Sequence, residues 1–92
     1  MDKLTVAVIG LLPRQAERVS ALYGDDIDLR FVQTDTAMPK IRASVESTDH
    51  VLIMTKFTPH DIQDGLRKHR GMEFCNGGTS SVGQKLDELL GR

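Results

Sequence analysis

The chain has 92 residues, 39% hydrophobic and 27% charged, with one Cys and no Trp, which leaves room for one modest core and argues for a single domain over residues 1–92. Twelve Lys and Arg against thirteen Asp and Glu give a net charge of −1, so no global basic field exists to drive non-specific nucleic-acid binding. The lone Cys75 excludes a disulfide framework and a Cys-rich zinc site; with no run of about 18 apolar residues and no leader-like pattern in the first ten, no membrane span or signal peptide is expected, and a cytoplasmic location is.

Thr5-Val6-Ala7-Val8-Ile9 is a continuous apolar run ended by Gly10, the pattern of a strand covered on both faces. Leu12, Ala16, Val19 and Tyr23 form a helical stripe, with Pro13 suited to open the helix and Gly24 to close it in a left-handed conformation. Ile27-Asp28-Leu29-Arg30-Phe31 alternates apolar and polar, which predicts an edge strand. Met38, Ile41 and Val45 mark a shorter second helix, and Val51-Leu52-Ile53-Met54 is a second fully apolar strand. The third helix is expected to start with Thr58 as N-cap, Pro59 at its first position and Asp61 where a capping-box acid belongs. Ile62 and Leu66 then face inward, and Gly71 terminates the helix. Met72-Glu73-Phe74-Cys75-Asn76 alternates weakly, a second edge, and Val82, Leu86, Leu89 and Leu90 stripe a fourth helix.

This alternation predicts an α/β fold, a three-layer α/β/α Rossmann-like unit resembling half of a flavodoxin-like domain. Right-handed crossovers place its four parallel strands in the order 2-1-3-4, with the apolar strands central. The chain changes direction between strands one and three, so the loops at their carboxyl ends diverge and leave a crevice where ligands of such sheets bind.

Four loops reach that edge. The last, Cys75-Asn76-Gly77-Gly78-Thr79-Ser80-Ser81, combines two glycines with hydroxyls at a helix start, where free N–H groups and the positive end of the helix suit a phosphate or carboxylate. The competing reading is an ordinary turn and cap, since short loops favour these residue types. Lys56 and His60, on the loop after the third strand, are candidates to add a cation and a titratable donor. The candidate ligand-binding set is therefore Lys56, His60, Asn76, Gly77, Gly78, Thr79, Ser80 and Ser81.

Other constellations are weaker. Asp35 stands where dinucleotide-binding domains place a ribose-binding acid, but Gly10 is followed by Leu11-Leu12-Pro13 and neither a G-x-G-x-x-G nor a phosphate-loop pattern occurs. Asp35 is better read as a loop or capping residue, and no cofactor is expected. Cys75 precedes a glycine and hydroxyl loop, as a catalytic thiol would. However, a phosphatase of that type carries Arg six residues on, where this chain has Ser81, and the phosphocysteine domains of sugar-transport systems carry their Cys at the first strand, whereas this one follows the fourth. A small, partly buried strand-end residue is the preferred account of Cys75, and an enzyme is disfavoured. His50, His60 and His69 lack metal-ligand spacing, and Ser80, His60 and Asp61 define no triad from sequence alone. Arg67-Lys68-His69-Arg70 is read as a set of cations completing the last turn of the third helix; nucleic acid is a disfavoured partner, with little aromatic surface to stack bases.

Residues 50–90 carry a resemblance: the strand Val-Leu-Ile-Met-Thr-Lys-Phe, then His60, then Cys75 leading into Gly-Gly-Thr-Ser-Ser. Through Thr55, His60, Cys75, Gly78, Ser80 and Ser81 it resembles a family of short bacterial and phage-borne Rossmann-like domains of unknown function. The first half is similar only in its strand-helix-strand pattern. The resemblance implies the parallel three-layer fold and a shared polar crevice, and it imports no activity. The expectation is a non-catalytic module that binds an anionic small ligand, a nucleotide or phosphorylated metabolite, and works as a homodimer or higher oligomer. The alternative is a ligand-free module for protein interaction.

Overall fold

A computed structural model describes residues 3–69 and 71–91. The elements alternate as β1 (Leu4–Ile9), α1 (Pro13–Tyr23), β2 (Ile27–Val32), α2 (Met38–Glu46), β3 (His50–Met54), α3 (His60–Leu66), β4 (Met72–Cys75) and α4 (Thr79–Leu89). The four strands are parallel in the order β2-β1-β3-β4, the predicted α/β sheet with the apolar strands central. Among the described residues no helix is long and apolar enough to cross a membrane.

The continuous apolar runs are explained by two separate clusters. On one face Val6, Val8, Leu52 and Met54 pack with Val19 of α1 and Val82 and Leu86 of α4. On the other, Ala7, Ile9, Val51 and Ile53 pack with Ile41 and Val45 of α2 and Ile62 and Leu66 of α3. Successive side chains of a strand point to opposite faces, so each central strand must be apolar at every position to serve both layers. The edge strand β2 splits its residues instead: Ile27, Leu29 and Phe31 join the α1/α4 layer, while Asp28 and Arg30 are exposed.

Several predicted termini are corrected. Gly24 follows α1 in a right-handed conformation, φ −62°, with its N–H on the Ser20 carbonyl, so it prolongs the helical bonding and supplies no left-handed stop. The N-cap of α3 is Pro59, not Thr58, and no side chain caps that helix, which leaves Asp61 outside any capping box. Thr58 is instead buried, and its hydroxyl donates to the Ile9 carbonyl at 3.4 Å. Gly71 does not end α3, which stops at Leu66. A side chain there would run into the Asp49 carbonyl and the His50 backbone, so glycine lets β4 begin close against β3. The basic cluster consequently lies beyond the last turn of α3, and Arg70 falls outside the described residues.

Candidate functional site

Gly10 sets the shape of the sheet edge. It turns the chain out of β1 at φ +93°, a conformation that favours glycine, and a Cβ there would lie 2.5 Å from Thr58 Oγ1. The loop after β3 thus packs its Thr58 side chain onto Gly10 at the point where the strand order reverses. Gln63, buried in α3, braces the same loop by donating from Nε2 to the Thr58 carbonyl at 2.7 Å. In the sequence Gln63 has one signal, a polar residue next to inward-facing Ile62, and its partner is fixed only by the fold.

The loop after β4 is built against α1. Asn76 is tied back to β3: Thr55 Oγ1 donates to Asn76 Oδ1 at 2.8 Å. Gly77 is required by its own helix, because a Cβ at that position would lie 2.9 Å from Ser81 Cβ. Gly78 is the N-cap of α4 and receives no side-chain cap. The Ser81 and Val82 N–H groups both bond the Gly78 carbonyl, at 3.1 and 3.3 Å. That leaves the N–H groups of Thr79 and Ser80 without acceptors among the described residues, as the first turn of a helix requires in the absence of a cap.

Beside this turn stands the N-terminus of α1. Gln15 accepts the Leu12 N–H on Oε1 at 3.1 Å, and its Nε2 would lie 3.5 Å from a Cβ on Gly78. The Arg14 and Gln15 N–H groups are the uncapped donors of this second helix, since Pro13 has none and Ala16 bonds the Leu12 carbonyl. Neither helix has an acidic residue in its first turn, and Arg14 is exposed there. The positive ends of two macrodipoles therefore meet at one corner, with backbone donors and a carboxamide N–H around it. Gln15 and Arg14 were missed from sequence because their nearness to Gly78 depends on α1 and α4 sharing a layer.

Lys56 and His60 stand at the same sheet edge, exposed and with no side-chain hydrogen bond among the described residues. His60 is the first residue of α3, which belongs to the opposite layer from α4, and Lys56 lies on the preceding loop, next to the Thr55 that bonds Asn76. Asp35 is exposed in the turn after β2 and caps nothing, α2 having Ala37 as its N-cap. Cys75 is buried, and burial pushes its thiol above the usual value; the Ser81 side-chain hydrogen bond and the Lys85 charge oppose this, and Glu73 adds to it. That environment disfavours a thiolate. Two cavities, of ≈ 560 and ≈ 470 Å³, lie away from this corner: the first around Lys3, Gly24 and Asp28, the second between α1 and β2.

The chain matches no family model, no curated protein and no solved structure.

Proposed function

We propose that this chain is a small cytoplasmic, non-catalytic binding module that holds an anionic ligand, a nucleotide or phosphorylated metabolite, at the carboxyl edge of its sheet and acts as an oligomer. One observation carries the reading: two helix N-termini, with no acidic residue in the first turn and no side-chain cap on the first-turn N–H groups, lie side by side with the Gln15 carboxamide, which itself holds the Leu12 N–H, beside Gly78. An anion bound there would accept from Thr79 and Ser80, backbone and hydroxyl, and from Gln15 Nε2. Asn76 and Gly77 shape the turn, Ser81 anchors it to Cys75, and Lys56 and His60 are assigned to the outer part of a larger ligand. The resemblance to short Rossmann-like domains belongs to the same proposal.

The test is a titration with inorganic phosphate, then with nucleotides, followed by amide chemical shifts, alongside native mass spectrometry of the purified protein. Shifts centred on Gly78, Thr79, Ser80 and Gln15, abolished by a Ser80→Ala/Gln15→Ala double substitution, are expected. No shift at these amides with any of the anions would overturn the reading.

A second reading, an assembly module with no ligand, is favoured by one feature: the reversal point of the strand order is occupied by the Thr58 side chain packed onto Gly10. A clean oligomer carrying no adduct and indifferent to added anions is its expected signature.

A further inference from the structure

The outer side of β2 is the longer of the two open edges of the sheet: Ile27–Val32 has six residues and β4 four. The Val32 carbonyl accepts the Gly10 N–H on the β1 side. Backbone polar groups alternate sides from residue to residue along a strand, so Val32, Arg30 and Asp28 turn theirs toward β1. Ile27, Leu29 and Phe31 then present their N–H and C=O groups outward, an open template for another strand.

We propose that the occupant of this edge is a second copy of the same chain, paired antiparallel with Leu29 opposite Leu29 on a two-fold axis. This specifies the assembly half of the function proposed above and rests on it; it does not depend on the anion site. The register follows from side-chain chemistry. Directly opposed residues share a face, so apolar residues meet apolar ones only if the strands cross at a residue and not between two. Crossing at Asp28 opposes two carboxylates, and crossing at Arg30 opposes two guanidinium groups. Crossing at Leu29 sets Asp28 of each copy against Arg30 of the other and Ile27 against Phe31. It also makes Leu29 a hydrogen-bonded pair, which puts the Asp28 and Arg30 side chains in the close, non-hydrogen-bonded position, with Cα atoms about 4.5 Å apart.

The surroundings agree. Asp28 and Arg30 are exposed, and Arg30 uses only Nη1, on Ser47 Oγ at 2.9 Å, leaving its other nitrogens for a carboxylate. The two-fold axis stands perpendicular to the sheet and keeps both α1 helices on one side of the junction. There the ≈ 470 Å³ groove lined by Ala16, Glu17, Ser20, Ala21 and Phe31 offers mostly small side chains to an approaching helix. The β4 edge lacks this self-complementarity: crossing at Glu73 opposes two carboxylates, and crossing at Phe74 sets Glu73 against Cys75.

Sedimentation velocity over a concentration series tests the proposal. The unaltered chain is expected to dimerise, and Asp28→Arg or Arg30→Asp, each replacing two opposite-charge pairs by two like-charge pairs, to raise the dimer Kd by roughly tenfold or more. Mixing the two variants opposes two acidic side chains of one copy to two basic ones of the other, so the mixture is expected to regain the dimer, as is the double exchange within one chain. Both positions are exposed, and circular dichroism of each variant checks that the fold is kept. An unaltered chain that stays monomeric overturns the pairing and the assembly reading together. A dimer indifferent to both substitutions, or variants that fail to recover on mixing, overturn the pairing alone; the anion site keeps its separate readout in the phosphate titration.

Discussion

Gly10 carries two constraints that can be separated by experiment. Its φ of +93° costs a non-glycine residue about 1–3 kcal/mol, and the contact that a Cβ would make with Thr58 Oγ1 adds an overpacking cost of about 1–3 kcal/mol. Gly10→Ala is therefore expected to lower stability by about 2–6 kcal/mol in urea titration, and adding Thr58→Ala is expected to recover part of that loss and not the rest. Cys75 gives a pH dependence of definite sign. Burial raises its thiol above the usual value of 9.0, so below pH 9 folded and unfolded chains both hold the proton and its contribution to stability is intact. Above that, the unfolded chain ionises first, and stability falls as pH rises toward the folded value. Urea midpoints measured above pH 9 are expected to drop less in Cys75→Ala than in the unaltered chain, and alkylation of the folded protein at neutral pH is expected to be slow. Rapid labelling would contradict the buried, protonated thiol.

At the scale of the element, the segment between α3 and β4 is held by a side chain that looked like part of a cationic patch. His69 Nε2 lies 3.1 Å from the Val45 carbonyl, which can only accept, so the hydrogen is on Nε2. Nδ1 in turn accepts the Gly71 N–H at 3.1 Å. One imidazole thus links the end of α2 to the start of β4, satisfying the Gly71 N–H and adding a donor to a Val45 carbonyl that Thr48 already bonds. Only Arg67 and Lys68 remain as exposed cations of the described cluster, and Arg67 pairs with Asp64 at 3.1 Å, an exposed pair of small energetic worth. Truncating His69 to Ala takes the acceptor from the Gly71 N–H, while the Val45 carbonyl keeps its bonds from the Thr48 N–H and hydroxyl; the expected cost is about 1–3 kcal/mol. Faster hydrogen exchange at Gly71, with α1 and α4 unchanged, is the local signature to look for.

Over the whole molecule, the layer to which each helix belongs decides which loops can cooperate. Helices α1 and α4 share one cluster and α2 and α3 the other, so the Gly77–Ser81 turn is neighboured by the start of α1 and not by that of α3. The same division gives β2 an apolar face under α1 and a charged face on the other side, the asymmetry that favours a crossing at Leu29 over one at Asp28 or Arg30 for a second copy. A dimer formed in this way continues the sheet across the junction and leaves each anion corner on the side of α1 that faces α4, not on the β2 edge that pairs. Ligand binding and assembly are then independent, and charge reversal at Asp28 or Arg30 is expected to leave phosphate-induced shifts in place.

The α/β class, the strand order and the division into central and edge strands were legible in the sequence, because Val6–Ile9 and Val51–Met54 must be apolar throughout to serve two layers, while Ile27–Phe31 alternates with only one layer well covered. The turn at Gly77–Ser81 was legible as well, since its donors follow from local chain geometry at a helix start. What the tertiary structure decided was each partner fixed by packing between distant segments: Gln15 beside Gly78, Thr58 over Gly10 in place of a cap, Gly71 against β3, and His69 as a clamp. Local signals such as Thr58 before Pro59, or Gly71 after a helical stripe, describe what a residue can do for its own element. They lose when a neighbouring strand or loop offers that residue a buried partner, because an unsatisfied buried polar group or a steric overlap costs more than a cap contributes.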